Sequence, residues 1–371
     1  MKFSMGVDVL DQVATQVQSI TIQNAVSPID SFVRIEVGTS TAKFTTTDRT
    51  CELQVTAPIY AEQEGSITVS AKTLSQIAKA LDKSETCSLE FDAVTLKLTV
   101  TSGSSYYELQ TLPAEDFPEL TNEEFDGSFS MDANDLIKLL DTTKFAISRA
   151  DQRKYLKGVF LNVAKKKEEE CFDAVATDGF KMALYSAPKP ENIGDFKGVI
   201  IPEKTVNTIT RYFEHKGLVT IHYTEQKIRF VSDGKQLTSL LISGDFPSYH
   251  RLIPQDTNLV MSLNIEELLQ SLRKVLTVSS DPNEAVVLTL TPDKLKLKVT
   301  SMGRGIAETE MPVSYPGDTL VLKFVSSHLS GALEVLGSGM AVFTINDGST
   351  AIKLRKEGDS NALFVIMPQT V

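Results

Sequence analysis

The chain has no tryptophan, and only three cysteines and four histidines in 371 residues. Cys51, Cys87 and Cys171 are odd in number, far apart and in no metal-ligand spacing. That argues against a disulfide framework or a structural zinc site and suits reduced thiols. His215, His222, His250 and His328 show no paired spacing, so no histidine-based metal centre and no cofactor are expected. No apolar run is long enough to cross a bilayer. The start, Met1-Lys2-Phe3-Ser4-Met5, meets Asp8 and Asp11 before a signal-peptide core could build. The expected compartment is the cytoplasm, with no membrane partner. A net charge of −11 argues against a surface that grips phosphates everywhere. An acidic exterior with one basic face would give the same sum.

What is there is repetition. Three segments each carry a short apolar stretch around a serine and then an amphipathic run: Phe3 to Val17, Phe129 to Thr143, and Met261 to Leu276. Between them lies a second set, from Ile67 to Leu81, Val199 to Phe213, and Leu320 to Leu336. Apolar residues at i, i+3, i+4 and i+7 share one helix face. The first set gives Leu10, Val13, Ala14, Val17, then Leu136, Leu139, Leu140, Thr143, then Leu268, Ser271, Leu272, Val275. The second gives Leu74, Ile77, Ala78, Leu81, then Val206, Ile209, Thr210, Phe213, then Leu329, Ala332, Leu333, Leu336. Six helices with one narrow stripe each suit covering a sheet on one side.

Elsewhere the period is two, as in Leu96, Leu98, Val100 and in Leu295, Leu297, Val299, which marks half-buried antiparallel strands. Asp233-Gly234 and Asp347-Gly348 are hairpin turn signals, and Lys165 to Glu170 reads as a solvated hairpin tip. The fold class is α+β, with three similar domains, each of two βα-β repeats, at 1–122, 127–254 and 255–371. Helices on one side of outward-facing antiparallel sheets would line the inside of an arc. Exposed strand edges are sticky, and two arcs joined head to tail would close a ring.

Five motifs stand in order along the chain and resemble those of one family. Thr111-Leu112-Pro113-Ala114-Glu115-Asp116-Phe117-Pro118 resembles the family's TLPAxDFP. Arg153-Lys154-Tyr155-Leu156-Lys157-Gly158 is similar to RYYLNG, and Val175-Ala176-Thr177-Asp178-Gly179-Phe180-Lys181-Met182-Ala183 to VATDGHRLA. Phe246-Pro247-Ser248-Tyr249-His250-Arg251-Leu252-Ile253-Pro254 resembles FPDYxRVLP, and Val365-Ile366-Met367-Pro368 the terminal VxMP. Together they resemble the beta subunit of bacterial DNA polymerase III, or beta sliding clamp, and the resemblance runs from Met1 to Val371. It implies the DNA clamp fold, a head-to-tail homodimer that encircles double-stranded DNA without reading its sequence, and no enzymatic activity. The implied partners are the polymerase III catalytic subunit, the clamp loader and other replication and repair proteins with short clamp-binding motifs.

Sliding requires weak, sequence-blind phosphate contacts. Candidates on helices and nearby turns include Lys72, Lys79, Lys83, Lys138, Lys204, Arg211 and Arg273; the resemblance adds Arg149, Lys154 and Tyr155. Several of these lysines also sit where helix-dipole complementarity alone would put them. The resemblance places Leu156, Met182, Leu252, Val365 and Met367, with Pro247 and Pro368, around a partner-peptide groove. Thr177, Gly179 and Arg251 would frame it; core packing is the plainer reading of most of the apolar ones. Phe180 stands where the family often has His, Lys181 and Met182 replace Arg and Leu, and the chain ends Gln369-Thr370-Val371 rather than with a basic and a large apolar residue. A groove of altered depth or selectivity is expected. Asn24 lies near a frequent family arginine, which weakens the DNA contact there. Tyr107 and Leu109, on an edge strand, would meet Thr277 and Val278 of the other subunit.

Two rival readings remain. Thr177-Asp178-Gly179 and Thr47-Asp48-Arg49 can be imagined as metal or phosphate loops of an enzyme. No nucleophile or second carboxylate converges on either, and recurrence at the same place in two repeats points to a turn. A β-rich scaffold that binds protein peptides without encircling DNA is the other.

Overall fold

The computed structural model describes residues 1–22, 25–120, 124–149, 152–166, 169–255, 259–281 and 283–369. Asn24, Thr370 and Val371 lie outside the described residues. One pattern of elements recurs three times. The first pass runs β1 (Lys2–Gly6), α1 (Val7–Gln18), β2 (Phe32–Val37), β3 (Thr41–Thr47), β4 (Cys51–Pro58), β5 (Tyr60–Gln63), β6 (Gly65–Ser70), α2 (Ala71–Ala80), β7 (Thr86–Asp92), β8 (Lys97–Ser102) and β9 (Ser105–Leu112). The second runs β10 (Gly127–Asp132), α3 (Ala133–Thr143), β11 (Gly158–Lys166), β12 (Glu169–Thr177), β13 (Lys181–Pro188), β14 (Val199–Pro202), α4 (Glu203–Tyr212), β15 (Leu218–Tyr223), β16 (Lys227–Ser232) and β17 (Lys235–Leu240). The third runs β18 (Val260–Asn264), α5 (Ile265–Leu276), β19 (Ala285–Leu290), β20 (Lys294–Ser301), β21 (Gly305–Pro312), β22 (Leu320–Val325), α6 (Ser326–Leu336), β23 (Met340–Thr344), β24 (Ile352–Lys356) and β25 (Ala362–Ile366).

Three of the helices, α2, α3 and α5, start where the last strand residue can cap. Ser70 Oγ accepts from the Thr73 N–H, Asp132 Oδ1 from the Asn134 N–H, and Asn264 Oδ1 from the Glu267 N–H. Each bond satisfies one of the orphan donors of a first turn. The expected stripes are buried in all six, including Leu10, Val13 and Val17 on α1 and Leu329, Leu333 and Leu336 on α6. One position departs: Thr210 is only half-buried, and α4 instead buries Thr205 and Thr208 beside Val206 and Ile209. The buried face of that helix is thus wider and more polar than its apolar spacing implies.

By contacts the chain divides into two compact units. The first is Met1–Ile137, Pro190–Gly194 and Asn207–Leu241; the second is Lys138–Lys189, Asp195–Val206 and Ile242–Val371. The first unit holds a 13-stranded sheet, β10-β15-β16-β17-β4-β3-β2-β6-β9-β8-β7-β1-β5. In it α1 packs on β3 and β4 and against α2. The second unit holds an 8-stranded sheet, β14-β11-β12-β13-β25-β24-β23-β18, and a 4-stranded one, β21-β20-β19-β22. There α5 packs on β20 and β21 and against α6.

Two joints in these sheets are equivalent. β4, β13 and β21 hold the same place in the three passes, as do β9, β17 and β25. β17 pairs with β4, Leu237 opposite Leu53, and β25 pairs with β13, Phe364 opposite Ala183. The third such pair, β21 and β9, is not formed within the chain: among the described residues β21 pairs only with β20. β9 pairs with β6 only at Thr111 and Leu112, so it is an edge strand along Ser105–Gln110 and interior at its C-terminal end. Tyr107 and Leu109 therefore do lie on an open edge, but the strand as a whole is not one.

The joint depends on large side chains that the sheet face buries completely. Phe364 is fully buried and meets Phe145 edge-on at 5.4 Å. Phe364→Ala is expected to lower unfolding stability by about 3–5 kcal/mol, read as the shift in urea midpoint. The exposed Tyr60→Ala control should shift it by less than about 0.5 kcal/mol.

Candidate functional site

The Thr-Asp signal is a turn, built twice with the same hydrogen bonds. At Thr177–Phe180 the Gly179 N–H donates to Thr177 Oγ1 at 3.0 Å, and the Phe180 and Lys181 N–H groups donate to Asp178 Oδ1 at 2.9 and 2.8 Å. At Thr47–Thr50 the Arg49 N–H donates to Thr47 Oγ1 at 3.0 Å, and the Thr50 and Cys51 N–H groups to Asp48 Oδ1 at 2.9 and 2.7 Å. The third residue is left-handed in both, Gly179 at φ 91° and Arg49 at φ 70°. A Cβ at position 179 would also come within 3.2 Å of the Arg153 guanidinium, so glycine keeps that side open. The oxygens imagined as ligands are occupied in shaping the turn.

The strands leaving the two turns differ. Alternate residues of a strand share a face, and the face opposite the helices can be compared at the two joints. At β4–β17 the register pairs Glu52 with Thr238 and Gln54 with Gln236. Glu52 is buried; burial pushes its carboxyl up, and it accepts the Leu120 N–H at 3.0 Å with Arg34 nearby. That face is polar. At β13–β25 the register pairs Met182 with Val365 and Leu184 with Leu363. Val175, Met182, Leu184, Tyr249 and Val365 form one buried cluster, with Phe246 packed against it and stacked on Phe160 at 4.8 Å.

On the segments next to these strands three large side chains stay exposed: Phe180 (66%), Leu252 (47%) and Met367 (42%). The Met367 N–H donates to the Phe180 carbonyl at 2.8 Å, which locks the tail after β25 to the turn. Leu252 and the exposed Arg251 ride on a 3-10 turn, Tyr249–Leu252, whose buried Tyr249 belongs to the floor. Pro247 and Pro368 are half-buried beside them in sequence, and Thr177 pairs with Met182 across the hairpin. Leu156 is fully buried, its carbonyl accepting the Ser148 N–H at 2.9 Å, and is not a member of the Met182–Val365 cluster. Val175, Leu184, Phe246 and Tyr249 were missed from sequence. The signal was there in β12, where Phe172 to Thr177 is too apolar for a strand with one wet face.

Tyr249 is tied below. Its hydroxyl donates to Asp173 Oδ2 at 3.0 Å and accepts from Asn162 Nδ2 at 3.3 Å. Burial first, then the charge of Asp173, push the phenol far above its ordinary value, so it stays a donor. Asp173 is itself fully buried and also accepts from Ser186 Oγ and, at 3.3 Å, from Cys171 Sγ.

Beside Phe180 opens a polar cleft of ≈ 670 Å³, lined among others by Lys144, Arg149, Asp178, Lys181 and His328. Lys181 Nζ bonds Asp178, and His328 Nε2 lies 3.8 Å from the same carboxylate. Burial favours the neutral Asp178 carboxyl, but the Lys181 and backbone hydrogen bonds outweigh it and hold the group below its ordinary value. Burial, then Lys181, lower His328 in spite of Asp178.

The DNA candidates fall into two sets. Lys72 and Lys79 are exposed on α2, two turns apart, and Arg211 is exposed on α4, its guanidinium 5.2 Å from the Tyr212 ring centroid. In the second unit Arg149 is 81% exposed and its Nε donates to Glu203 at 3.1 Å. The Glu203 N–H donates to the Lys157 carbonyl at 3.2 Å, and Ser148 bonds Leu156, so the exposed Arg149, Lys154 and Lys157, the half-buried Tyr155 and the start of α4 with Lys204 are gathered. Arg153 and Lys157 belong to this loop and were not singled out from sequence. Lys138 and Arg273 are exposed on their helices, while Lys83 is paired with Asp11 at 2.8 Å. Tyr107, Leu109 and Val278 are half-buried and Thr277 is exposed.

A thrice-repeated α+β fold with one apolar sheet face and exposed basic residues on helices and a loop defines a repeat-built binding protein, and no catalytic centre converges among the described residues. Models of the DNA polymerase III beta subunit match along the chain: the N-terminal domain at residues 1–121, the central domain at 130–248 and the C-terminal domain at 250–370. The beta sliding clamp of Caulobacter vibrioides is 30% identical over 372 residues, covering 100% of both chains. That of Pseudomonas putida is 29% identical over 99% of both. A structure of the Caulobacter crescentus beta sliding clamp superposes with a TM-score of 0.95 at 30% identity, over 100% of this chain and 99% of that one. The Bartonella birtlesii sliding clamp bound to griselimycin also gives 0.95, at 30% identity over 100% of both. The chain belongs to the DNA polymerase III beta subunit family, the beta sliding clamps.

The lowered His328 makes the turn acid-sensitive. A base whose folded pKa lies below its unfolded value adds stability that is complete above about pH 6.5 and is lost as pH falls through the folded pKa. Asp178 acts in the same direction, below its ordinary 3.8. Thermal unfolding between pH 7.5 and 5 should show the wild type losing stability. His328→Gln should lose less over the same range; identical slopes would remove His328 from the effect.

Proposed function

We propose that this chain is a DNA sliding clamp and replication processivity factor. Two copies close head to tail into a ring around duplex DNA, and the groove at the β13–β25 joint tethers polymerase and other replication proteins by short apolar segments. One observation carries the ring. Two of three equivalent strand joints are made inside the chain, and the strands of the third, β9 and β21, keep open edges. A second copy supplies the missing partner for each, and the symmetry of the pair closes both. Half-buried Tyr107 and Leu109 on β9, and Ile306, 60% exposed on β21, are the side chains such a joint would cover. Because α5 packs on β21, Thr277 and Val278 at its end are carried toward the same joint.

The groove reading rests on the apolar face at Met182–Val365, where the equivalent face at Glu52–Thr238 is polar. An apolar peptide that buries one large side chain there gains about 1.5–3 kcal/mol. Phe180, Leu252 and Met367 would cover it, Arg251 and Gly179 would border it, and Pro247 and Pro368 would stiffen its approaches. With Phe180 in place of an imidazole, the rim favours apolar over polar peptide side chains. Lys72, Lys79, Arg149, Lys154, Tyr155, Lys204 and Arg211 would attract phosphates without reading bases, which permits sliding. We place the domain limits at 1–122, 127–254 and 255–371. The clamp makes no covalent bond and works in the cytoplasm. No helix among the described residues is long and apolar enough to cross a membrane, and burial pushes the Cys87 thiol up to about 11.

Retention on DNA separates a ring from a scaffold. Loaded on nicked circular plasmid, the protein should stay through gel filtration and fall off when the plasmid is cut; equal loss from both forms would leave only the scaffold. Tyr107→Ala with Leu109→Asp should sediment as monomer at micromolar concentration and lose retention. Arg149→Ala with Lys154→Ala should make the log–log salt dependence of retention shallower by roughly one to two.

A further inference from the structure

The two joints differ beneath their surfaces as well as on them. In β12 Asp173 stands opposite Ser186, and the equivalent pair at the first joint, counted from the Thr-Asp turns, is Lys43 opposite Thr56. Lys43 is exposed and reaches only Glu36, at 3.9 Å. Tyr249 lies two residues after Phe246-Pro247, and the residue two after Phe117-Pro118 is Leu120, whose backbone N–H meets Glu52. Both joints form and both sheets are continuous, so the repeat does not need a buried carboxyl or a buried phenol at these positions. Only the joint with the apolar face carries them. There a fully buried Asp173 holds the hydroxyl of a residue whose ring is part of the groove floor, and which begins the turn that presents Arg251 and Leu252.

Given the groove reading of the β13–β25 face, on which this inference rests, we propose that the Asp173–Tyr249 hydrogen bond is a positioning device that keeps the Tyr249–Leu252 turn in its peptide-binding place before a peptide arrives. Apart from the packing of the Tyr249 ring, and of Phe246 and Ile253 on either side of the turn, against the floor, little else holds it. Its side chains past Tyr249 are exposed, and among the described residues its backbone is tied locally, from the Arg251 N–H to the Ser248 carbonyl at 3.2 Å. Loss of the hydroxyl therefore releases the turn into a set of conformers, of which a fraction can bind, and apparent affinity falls by that fraction. The cost appears in association, because a peptide that finds the competent conformer makes the same contacts as before.

The test uses the full-length protein and a fluorescein-labelled hexapeptide carrying two leucines and a phenylalanine, followed by stopped-flow anisotropy. Tyr249→Phe removes one oxygen and preserves the ring. It should slow association about tenfold, the effect of losing a hydrogen bond to a charged group, and leave dissociation within twofold. Amide exchange at Arg251 and Leu252 should quicken while the dimer persists and its thermal midpoint falls by only a few degrees. Asp173→Asn, which keeps an acceptor for the phenol, should retain most of the association rate. Wild-type association in Tyr249→Phe, or a faster dissociation at unchanged association, overturns the positioning role. Met182→Asp distinguishes the two readings: if it abolishes binding, the groove stands whatever Tyr249→Phe does. If it leaves binding intact, the groove reading fails and this inference with it.

Discussion

A strand edge is a row of unpaired N–H and C=O groups, and the rest of this molecule depends on how those rows are paired. Each repeat offers one edge from its third large strand and one from its last. Within the chain β4 takes β17 and β13 takes β25, and every such pairing merges two half-sheets into one face. The number of repeats leaves β9 and β21 over, each backed by a strand on one side only along most of its length. A chain built this way has complementary ends. Burying those ends in a second copy satisfies the backbone at no cost in new architecture, and it covers the two edges that the joints within the chain leave open.

Merging sheets also creates the face on which the proposed groove lies. A joint brings side chains from distant parts of the chain onto one face, and its chemistry depends on which residues the alternation turns outward. Glu52, Gln54, Gln236 and Thr238 make one such face polar, and Glu52 finds the Leu120 N–H in place of water. Met182, Leu184, Leu363 and Val365 make the other apolar, and there the covering segment leaves Phe180, Leu252 and Met367 uncovered. An exposed cluster of that kind has a meaning that single exposed leucines do not. The same backbone turn serves both joints; only the second has glycine at its left-handed position, which keeps the rim low.

Much of the fold was legible because it rests on periodicity. The stripes Leu10–Val17 and Leu268–Val275 place helices from spacing alone, and Leu295, Leu297, Val299 place a strand in the same way. Thr210 was misjudged because the spacing rule counts apolar residues, whereas α4 buries Thr205 and Thr208. The outer residues of the groove came from motif resemblance, not from pattern. Met182 and Val365 of its floor came in the same way, but the rest did not: Val175, Leu184 and Tyr249 look like ordinary core residues, and so they are, until a strand almost two hundred positions away lies beside the first two. The buried Asp173 gave no sign, since an aspartate in a strand reads as a solvated face.

The amino-acid order by itself determined the threefold pattern, the six amphipathic helices, the alternating strands and the Thr-Asp turns. Each helix, strand and turn depends on residues within about a dozen positions of one another, and the threefold pattern is the recurrence of such local signals. Only the tertiary structure decided which edges pair, which joint is apolar, and that a carboxyl lies under the turn carrying Arg251 and Leu252. Those outcomes depend on register between strands far apart in sequence, and a shift of one residue would turn Met182 and Val365 to the opposite face.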